Sequence, residues 1–244
     1  MKLAEKPYVA PQGEGKLSGT LSIFLRATGC NLRCAWKRND YWNKCDTEYT
    51  SWKPELYKEV HYLEIVDEIE HAREIEKFPD VHHVVITGGE PFLQDDLEAI
   101  VRQIKREGYH ITIETNGTIA KPVYADLLSI SPKLNNATPR FAKKAMLMHE
   151  RNNIFQKSLI DGSNPNIKDF QIKPVVVTAK DLLDVDAFVA QHRITPQKIC
   201  IMPEGIKSEE LDEVIANVGN EVLKRGYHMT DRLQIRKFGN KRGT

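Results

Sequence analysis

Short apolar runs and longer amphipathic segments alternate along the chain, and the two patterns predict different secondary structures. The apolar runs predict buried strands at LSIFLRA (21–27), VHHVVIT (81–87), YHITIETNG (109–117), ADLLSISPK (125–133), DFQIKPVVVT (169–178), KICIMP (198–203) and near 232–237. The amphipathic segments predict helices over 61–76, 93–108, about 140–160, 181–192 and 207–225. We expect Leu63, Val66 and Ile69 to form one apolar stripe in the first helix, and Gly108 to end the second.

This alternation predicts an α/β fold in which right-handed βαβ units form a parallel sheet. No linker-like stretch divides the sequence, so we expect a single domain over residues 1–244. Ligands of parallel α/β folds bind at the carboxyl ends of the strands. The polar segments TGGEP, ETNGT, SPK and MPEG each follow a predicted strand. They therefore predict a functional site at that edge of the sheet.

Charge and hydropathy exclude several classes of protein. The net charge of +1 gives no overall electrostatic reason to bind nucleic acid or a membrane surface. The basic segment 140–151 is read as a solvated helix face. No apolar run approaches the roughly 20 residues of a membrane span, and the first residues lack the apolar core of a signal peptide. We expect a cytoplasmic protein with no membrane partner and no direct nucleic-acid partner.

Three of the four cysteines cluster in residues 28–50, at Cys30, Cys34 and Cys45. Disulfides are rare in the cytoplasm, where clustered cysteines more often bind metal or take part in chemistry. A buried apolar role suits Cys200, which lies within a predicted strand, but suits this polar loop poorly. Structural zinc would need a fourth ligand such as His61 or His71. Three thiolates can also hold an iron–sulfur cluster and leave one iron open.

The cysteine triplet, together with GGEP (88–91) directly after a predicted strand, resembles the radical S-adenosylmethionine superfamily. The resemblance implies an incomplete (β/α)6 barrel, a 4Fe-4S cluster on Cys30, Cys34 and Cys45, and S-adenosylmethionine as cofactor. Ten residues separate the second and third cysteines, whereas two are usual in that superfamily. Residues 37–44 therefore represent an eight-residue insertion, and we expect it to lie beside the cluster with Tyr41 or Trp42 packed on the protein.

Further segments narrow the resemblance. QGEG (12–15), TLSIFLRATGCNLRC (20–34), CDTEY (45–49) and the tail RLQIRKFGNKRGT (232–244) are similar to the 7-carboxy-7-deazaguanine synthase family. That family implies a lyase of queuosine biosynthesis, a tRNA modification pathway. The substrate is 6-carboxy-5,6,7,8-tetrahydropterin, whose ring contracts with loss of ammonia. The family also implies Mg²⁺, a homodimer, and an electron donor such as flavodoxin or ferredoxin.

The resemblance also implies residue roles. The chemistry belongs to the cofactor radical, so no side chain is assigned as catalytic. Thr47 is implied as the Mg²⁺ ligand, with Asp46 a second candidate. The residues implied for substrate binding are Gln12, Glu14, Arg26, Thr87 and Gly88, and those implied for S-adenosylmethionine binding are Gly89, Glu90, Thr115, Asn116, Ser131 and Lys133.

Several of these roles have structural alternatives. The planar fork of Arg26 suits a substrate carboxylate, but it could equally form an internal salt bridge. Thr47 could cap a helix, and the other polar residues could be turn residues. Gln234 stands where the family's tail motif has a histidine, and an amide cannot carry a proton near neutral pH as a histidine can.

Two other functions remain open from the sequence. One is a radical enzyme that activates another protein, although QGEG and the tail argue against it. The other is a non-catalytic zinc module that binds RNA.

Overall fold

Strands and helices alternate along the chain in a computed structural model that describes residues 1–243. The strands are β1 (Lys2–Leu3), β2 (Tyr8–Pro11), β3 (Leu21–Ala27), β4 (Ala35–Lys37), β5 (Trp42–Lys44), β6 (Lys58–Glu59), β7 (His83–Gly88), β8 (His110–Thr115), β9 (Leu127–Ile130), β10 (Phe170–Ile172), β11 (Val175–Val176), β12 (Cys200–Pro203) and β13 (His228–Met229). The α-helices are α1 (Glu48–Ser51), α2 (Ile65–Glu76), α3 (Leu97–Arg106), α4 (Lys143–Asn152), α5 (Asp181–His192), α6 (Ser208–Lys224) and α7 (Leu233–Phe238).

A curved, mostly parallel sheet forms the centre of the fold. Strands β3, β7, β8, β9 and β10 pair in this order, each parallel to the next. A parallel bridge between Ile172 and Ile199 carries the curve on toward β12, which pairs with β11 and β13. Six successive parallel strands thus run from β3 to β12, as the predicted six-stranded barrel requires. The short strands β1, β2 and β6 add an antiparallel margin that the sequence pattern did not predict.

Apolar residues of the sheet and helices form one large core, and two smaller apolar clusters lie outside it. In α3, Leu97, Ile100, Val101 and Ile104 are fully or almost fully buried, as expected of a helix that covers a parallel sheet. Gly108 adopts a positive φ of 80° just after this helix, so its predicted role at the helix end is confirmed.

The predicted stripe of the first long helix is wrong in one position. Leu63 lies before α2 and is 61% exposed, whereas the buried face of α2 consists of Ile65, Ile69 and Ala72. Val66 is half-buried against the core. The helix starts four residues later than its apolar spacing suggested, so Leu63 lies outside it.

The C-terminal part differs from the predicted strands in two places. Residues 233–237 belong to the helix α7, which Arg232 precedes, and not to a strand; the last strand is β13. A stretch of six residues carries too little periodicity to distinguish the two structures. DFQIKPVVVT also forms two short strands, β10 and β11, because Pro174 lies between them and has no N–H for a sheet ladder.

The insertion 37–44 forms a β-hairpin in which β4 and β5 pair antiparallel, with Lys37 opposite Trp42. The ring of Trp42 packs on Phe141, with 5.2 Å between ring centroids. The Tyr41 hydroxyl donates a 2.7 Å hydrogen bond to Glu210 at the start of α6. The expected packing of these two aromatic residues is thus confirmed.

Buried polar contacts hold the hairpin against the loop after β12. Asn43 donates a 3.0 Å hydrogen bond to Oε1 of Glu204, and both side chains are buried. The guanidinium of Arg38 lies 3.6 Å from Oε2 of the same carboxylate, an atom that makes no hydrogen bond. Burial raises the pKa of Glu204 to about 7 because the charged form loses its hydration.

We expect Glu204→Gln to change the pH dependence of stability. A raised carboxyl pKa favours folding at low pH, and this contribution is lost as pH rises from about 4.5 to about 7. Wild type should therefore lose about 3 kcal/mol of unfolding free energy from this group over that range, and the variant should not. Urea unfolding of both proteins at pH 5 and pH 8 measures the difference. Equal pH dependence in the two proteins would contradict the burial of a titrating Glu204.

Candidate active site

A cavity of about 310 Å³ opens at the carboxyl ends of the parallel strands, where the polar segments led us to expect a site. Fourteen of the fifteen predicted site residues line it: Gln12, Glu14, Arg26, Cys30, Cys34, Cys45, Thr47, Thr87, Gly88, Gly89, Thr115, Asn116, Ser131 and Lys133. Only Glu90 does not reach the cavity surface. Residues up to 235 positions apart in the sequence, Tyr8 and Gly243, therefore meet at one place.

The three clustered cysteines are free thiols that face this cavity together. Burial raises the pKa of Cys30 to about 12 and raises the pKa values of Cys34 and Cys45 as well. The ammonium group of Lys133 opposes this rise at all three sites. Protonated thiols that share one pocket suit a positively charged metal centre, since binding such a centre removes their protons.

Three thiols that face one cavity can serve as ligands of an iron–sulfur cluster, in which each thiolate binds a different iron. Among residues 1–243 no group of three or more His, Cys, Asp or Glu side chains is arranged to hold a single metal ion.

Glu90 is fully buried and organises the walls of the cavity. Its Oε1 accepts hydrogen bonds from the Thr115 hydroxyl at 2.8 Å and the Phe92 amide at 3.0 Å, and its Oε2 accepts one from the Asn116 amide at 2.8 Å. Burial raises the pKa of Glu90, and these hydrogen bonds partly oppose the rise. The carboxyl group thus joins the loop after β7 to the loop after β8. Direct contact with a cofactor amine stays a prediction.

Gly89 lets the loop after β7 pack against the cluster loop. A Cβ at this position would lie 1.9 Å from the carbonyl oxygen of Gly29 and 2.6 Å from its carbonyl carbon. The Glu90 amide donates a 2.8 Å hydrogen bond to the same carbonyl, so the two loops are joined at this point. Any larger residue must push the backbone beside Cys30 away.

We therefore expect Gly89→Ala to lose about 3 kcal/mol of unfolding free energy and to bind less iron per chain. Displacement of Gly29 moves the first cysteine relative to the other two. Gly219→Ala is the matched control, because its Cβ would meet only the Met229 sulfur at 4.0 Å inside α6. That change should raise stability by about 0.5–1 kcal/mol and leave iron content unchanged. Iron analysis and urea unfolding measure both variants, and normal iron content in Gly89→Ala would refute the prediction.

A network of buried charges adjoins the cavity. Lys173 is 3% exposed and donates to Glu14 at 2.6 Å and to Glu114 at 3.0 Å. Glu14 also accepts a 3.0 Å hydrogen bond from Arg232, which pairs in turn with Asp46. Lys173 and Arg232 hold the pKa of Glu14 well below its usual range, despite the opposing effect of burial.

Neutral hydrogen bonds extend the network. The Thr87 hydroxyl donates to Glu114 at 2.8 Å, and the Gln12 amide donates to the same carboxylate at 3.4 Å. Gln234 donates to Glu14 at 2.6 Å, while its own Oε1 is buried without a hydrogen-bond partner. Gln234 thus lies at the cavity, next to the QGEG segment.

Arg26 is held in place by partners of its own. Its Nε donates to Glu5 at 2.6 Å and its Nη2 to the Tyr8 hydroxyl at 2.7 Å. The salt bridge that we considered as an alternative role is therefore present, and the residue still lines the cavity. Arg242 pairs with the other oxygen of Glu5 at 3.1 Å and stacks 4.0 Å above the Tyr49 ring. These contacts bring the C-terminal segment 239–243 onto the cavity rim, while Thr244 lies outside the described residues.

Thr47 and Asp46 take different positions beside Cys45. The Thr47 hydroxyl lies 3.3 Å from the Cys45 sulfur and faces the cavity. Thr47 also occupies the N-cap position of α1, but its side chain makes no capping hydrogen bond there. The Asp46 carboxylate is engaged by Arg232.

Sequence reasoning missed Lys173, Glu114 and Arg232. Lys173 and Glu114 are single charges within or directly after apolar runs that form strands, which is unusual unless the charge is paired. That signal was available and indicates a functional edge of the sheet. Arg232 carried no such signal, because its local segment was read as a strand.

Comparisons with known proteins agree with this geometry. Residues 25–135 match the model of the radical SAM superfamily. The chain is 38% identical to 7-carboxy-7-deazaguanine synthase of Rhodopirellula baltica, over 99% of this chain and 88% of that protein. It is 36% identical to the protein of the same name from Halobacterium salinarum, over 93% and 87%.

A solved structure supports the fold. The crystal structure of QueE from Escherichia coli aligns with 93% of this chain and 91% of its own, with a TM-score of 0.57 and 23% identity. Within residues 1–243, no helix has the length and apolar content needed to span a bilayer. Because the similarity to these synthases extends over nearly the full length of the chain, the chain belongs to the 7-carboxy-7-deazaguanine synthase family of radical SAM enzymes.

Proposed function

We propose that this chain converts 6-carboxy-5,6,7,8-tetrahydropterin to 7-carboxy-7-deazaguanine, with ring contraction and loss of ammonia, in the route to queuosine. The observation that carries the proposal is the identity to curated synthases along nearly the whole chain. The cavity supports it, because fourteen residues chosen from sequence motifs line one space.

Cys30, Cys34 and Cys45 would hold the 4Fe-4S cluster that the radical SAM family uses. The cluster and S-adenosylmethionine supply a 5′-deoxyadenosyl radical when bound. Around them, Gly89, Thr115, Asn116, Ser131 and Lys133 would bind S-adenosylmethionine, with Glu90 fixing the loops that carry Thr115 and Asn116. Lys133 donates a 2.6 Å hydrogen bond to Ser131, and its positive charge favours the thiolate form of all three cysteines.

A second set of residues that line the cavity suits the pterin. Gln12, Glu14 and Thr87, with Gly88 beside them, offer amide, carboxylate and hydroxyl groups for the hydrogen-bonding edge of the ring. Arg26 would bind the substrate carboxylate through the guanidinium N–H groups that do not bond to Glu5 or Tyr8. Lys173 keeps Glu14 ionised and so preserves it as a hydrogen-bond acceptor.

Magnesium is proposed at Thr47. Mg²⁺ prefers hard oxygen donors and keeps waters and substrate oxygens in its shell, and a cavity-facing hydroxyl fits this pattern. Asp46 is the weaker candidate, because Arg232 already neutralises its charge.

The remaining proposals concern the protein in the cell. We propose one domain over 1–244, a cytoplasmic location, a homodimer, and reduction by a donor such as flavodoxin or ferredoxin. A small-molecule substrate follows from the family.

The deciding experiment incubates the cluster-loaded protein anaerobically with dithionite, S-adenosylmethionine, Mg²⁺ and the carboxy-tetrahydropterin. We expect 7-carboxy-7-deazaguanine in the chromatogram, and S-adenosylmethionine used many times rather than once. No product from a protein with full iron content would overturn the proposal. Omitting Mg²⁺ in a parallel reaction tests the magnesium site separately.

A further inference from the structure

Helix α4 buries one polar side chain beside the cluster loop, residues 28–34. Among the ten residues of this helix, Lys143–Asn152, His149 alone is buried, with 0% exposure. The other nine are half-buried or exposed, as expected of a largely solvated helix face. Burying a polar ring is unfavourable unless the ring forms hydrogen bonds, so the partners of His149 indicate what this residue does.

His149 contacts the cluster loop next to the second cysteine. Its Nδ1 donates a 2.8 Å hydrogen bond to the carbonyl oxygen of Arg33 and lies 4.0 Å from the Cys34 sulfur. A carbonyl oxygen can only accept a hydrogen bond, so Nδ1 carries the ring proton. The same N–H thus lies near both the sulfur of Cys34 and the backbone that precedes it.

Packing alone does not explain a histidine at this position. The other ring nitrogen, Nε2, is buried and makes no hydrogen bond among residues 1–243. A buried nitrogen without a partner destabilises the folded state, and a phenylalanine ring would avoid that loss. The contacts of Nδ1 with the cluster loop are therefore what distinguishes histidine from an apolar residue here.

Two asparagines at the end of α4 make similar contacts. The Asn152 amide donates a 2.8 Å hydrogen bond to the carbonyl oxygen of Asn31, in the cluster loop. The Asn153 amide donates a 2.6 Å hydrogen bond to the carbonyl oxygen of Lys133, in the loop after β9. The cluster loop contains no helix or strand, so side chains must bond the carbonyl groups that a sheet would otherwise bond. The end of α4 therefore holds two loops that line the cavity.

We propose that His149 is a positioning residue for the iron–sulfur cluster, which fixes Cys34 and donates its N–H toward that sulfur, while Asn152 and Asn153 hold the adjoining backbone. The inference rests on the proposed function, since Cys34 is a ligand only if the cluster is present. Residues around metal ligands commonly orient them, and hydrogen bonds to the ligating sulfurs help to set a cluster's reduction potential. His149 thus affects both how firmly the cluster is held and how easily it is reduced.

Two substitutions separate the N–H of His149 from its ring. His149→Phe keeps a flat ring and removes the donor, whereas His149→Asn removes the ring and keeps an amide nitrogen bonded to Cγ, where Nδ1 stands. The reconstituted proteins are mixed with an iron chelator under anaerobic conditions. We expect His149→Phe to lose its cluster absorbance at least about tenfold faster than wild type, and His149→Asn to stay within about threefold of wild type.

Redox titration of the same proteins, followed by electron paramagnetic resonance, measures the second property. A donor near a thiolate favours the more negative, reduced cluster, so His149→Phe should shift the equilibrium against reduction by about threefold, or about 28 mV at about 59 mV per tenfold. Asn152→Ala removes a contact with the Asn31 carbonyl oxygen and should release iron faster at an unchanged potential. This variant should fold, because alanine has the highest helix propensity.

His192→Phe is the matched control, because this ring packs in α5 on Phe155 and Phe188, at centroid distances of 4.8 and 4.5 Å. It should equal wild type in both measurements. The proposal is overturned if His149→Phe matches wild type in either measurement, if His149→Asn is equally impaired, or if the control is. It is also overturned if Asn152→Ala holds the cluster as firmly as wild type. Neither measurement needs the pterin, so a cluster-loaded protein that forms no product would refute the proposed reaction and leave this test intact.

Discussion

Replacing Cys45 with alanine should remove the iron–sulfur cluster and reduce synthase activity below detection. Cys45 follows the insertion in the sequence. Its replacement therefore tests whether three cysteines that are separated by a hairpin still bind one cluster together. The three thiols face one cavity and have pKa values raised by shared burial. With two thiolates left, the cluster loses one of its three cysteine ligands. Anaerobic reconstitution should give about four irons per chain in wild type and far fewer in the variant.

Cys200→Ala is the control for this experiment. Cys200 is 5% exposed within β12 and does not line the cavity. Its loss should cost about 1–2 kcal/mol of stability and leave iron content and the visible spectrum unchanged. If Cys45→Ala retained a full cluster, the proposed ligand set would be refuted. If Cys200→Ala lost the cluster as well, iron loss would reflect general instability.

Replacing Lys173 with methionine should lower the unfolding free energy by about 3–5 kcal/mol. Methionine keeps the length and apolar stem of lysine but leaves Glu14 and Glu114 without the cation between them. Lys173 is 3% exposed, and the side chains of Glu14 and Glu114 are 12% and 21% exposed, so water solvates the two carboxylates only in part. Arg232 and Gln234 still pair with Glu14, which makes the loss smaller than for an isolated buried charge. The variant should also bind the pterin more weakly, because the two carboxylates shape that wall of the cavity.

Lys198→Met is the matched control, since it breaks an ion pair with Asp169 in which the two side chains are 32% and 40% exposed. Exposed pairs contribute about 0–1 kcal/mol. Urea unfolding at neutral pH should separate the two variants clearly. Equal stability losses would contradict the buried network.

The stability loss in Lys173→Met should depend on pH in a direction that follows from the two pKa shifts. The pKa of Glu14 is lowered in the folded state, so its stabilising contribution is present above its unfolded pKa of about 4.5 and is lost as pH falls. The pKa of Lys173 is raised, so its contribution is lost only above its unfolded value of about 10.5. The stability gap between wild type and Lys173→Met should stay constant from about pH 6 to 9 and shrink below pH 4.5.

Local patterns in the sequence were sufficient for most of the fold. Strand β3 matches the apolar run 21–27, and α5 matches the predicted helix 181–192. These features depend on residues adjacent in the chain, so periodicity reveals them. The same holds for the site motifs, because the cysteines and GGEP come directly after strands that must end at one edge of the sheet.

Other features depended on contacts that no local pattern encodes. The pairs Glu14–Lys173 and Glu14–Arg232 join residues 159 and 218 positions apart. A buried ion pair is stable only when both partners reach one place, and sequence spacing does not reveal where they meet. The last helix was predicted as a strand because six residues are too few to show a distinct hydrophobic period. At its first residue, the Leu233 backbone amide donates a hydrogen bond to the carbonyl oxygen of Gly13, a contact that local sequence does not reveal.

The sequence by itself determined the ligand chemistry of this protein: three thiols, a glycine-rich loop and a set of polar strand ends. Only the tertiary structure decided how they are used. It placed Glu90 behind the cavity wall, gave Arg26 internal partners, and folded the insertion into a hairpin whose aromatic ring lies at the surface beside Phe141. The physical reason is that residue types fix what a side chain can bond, whereas burial and long-range packing fix which bonds remain available.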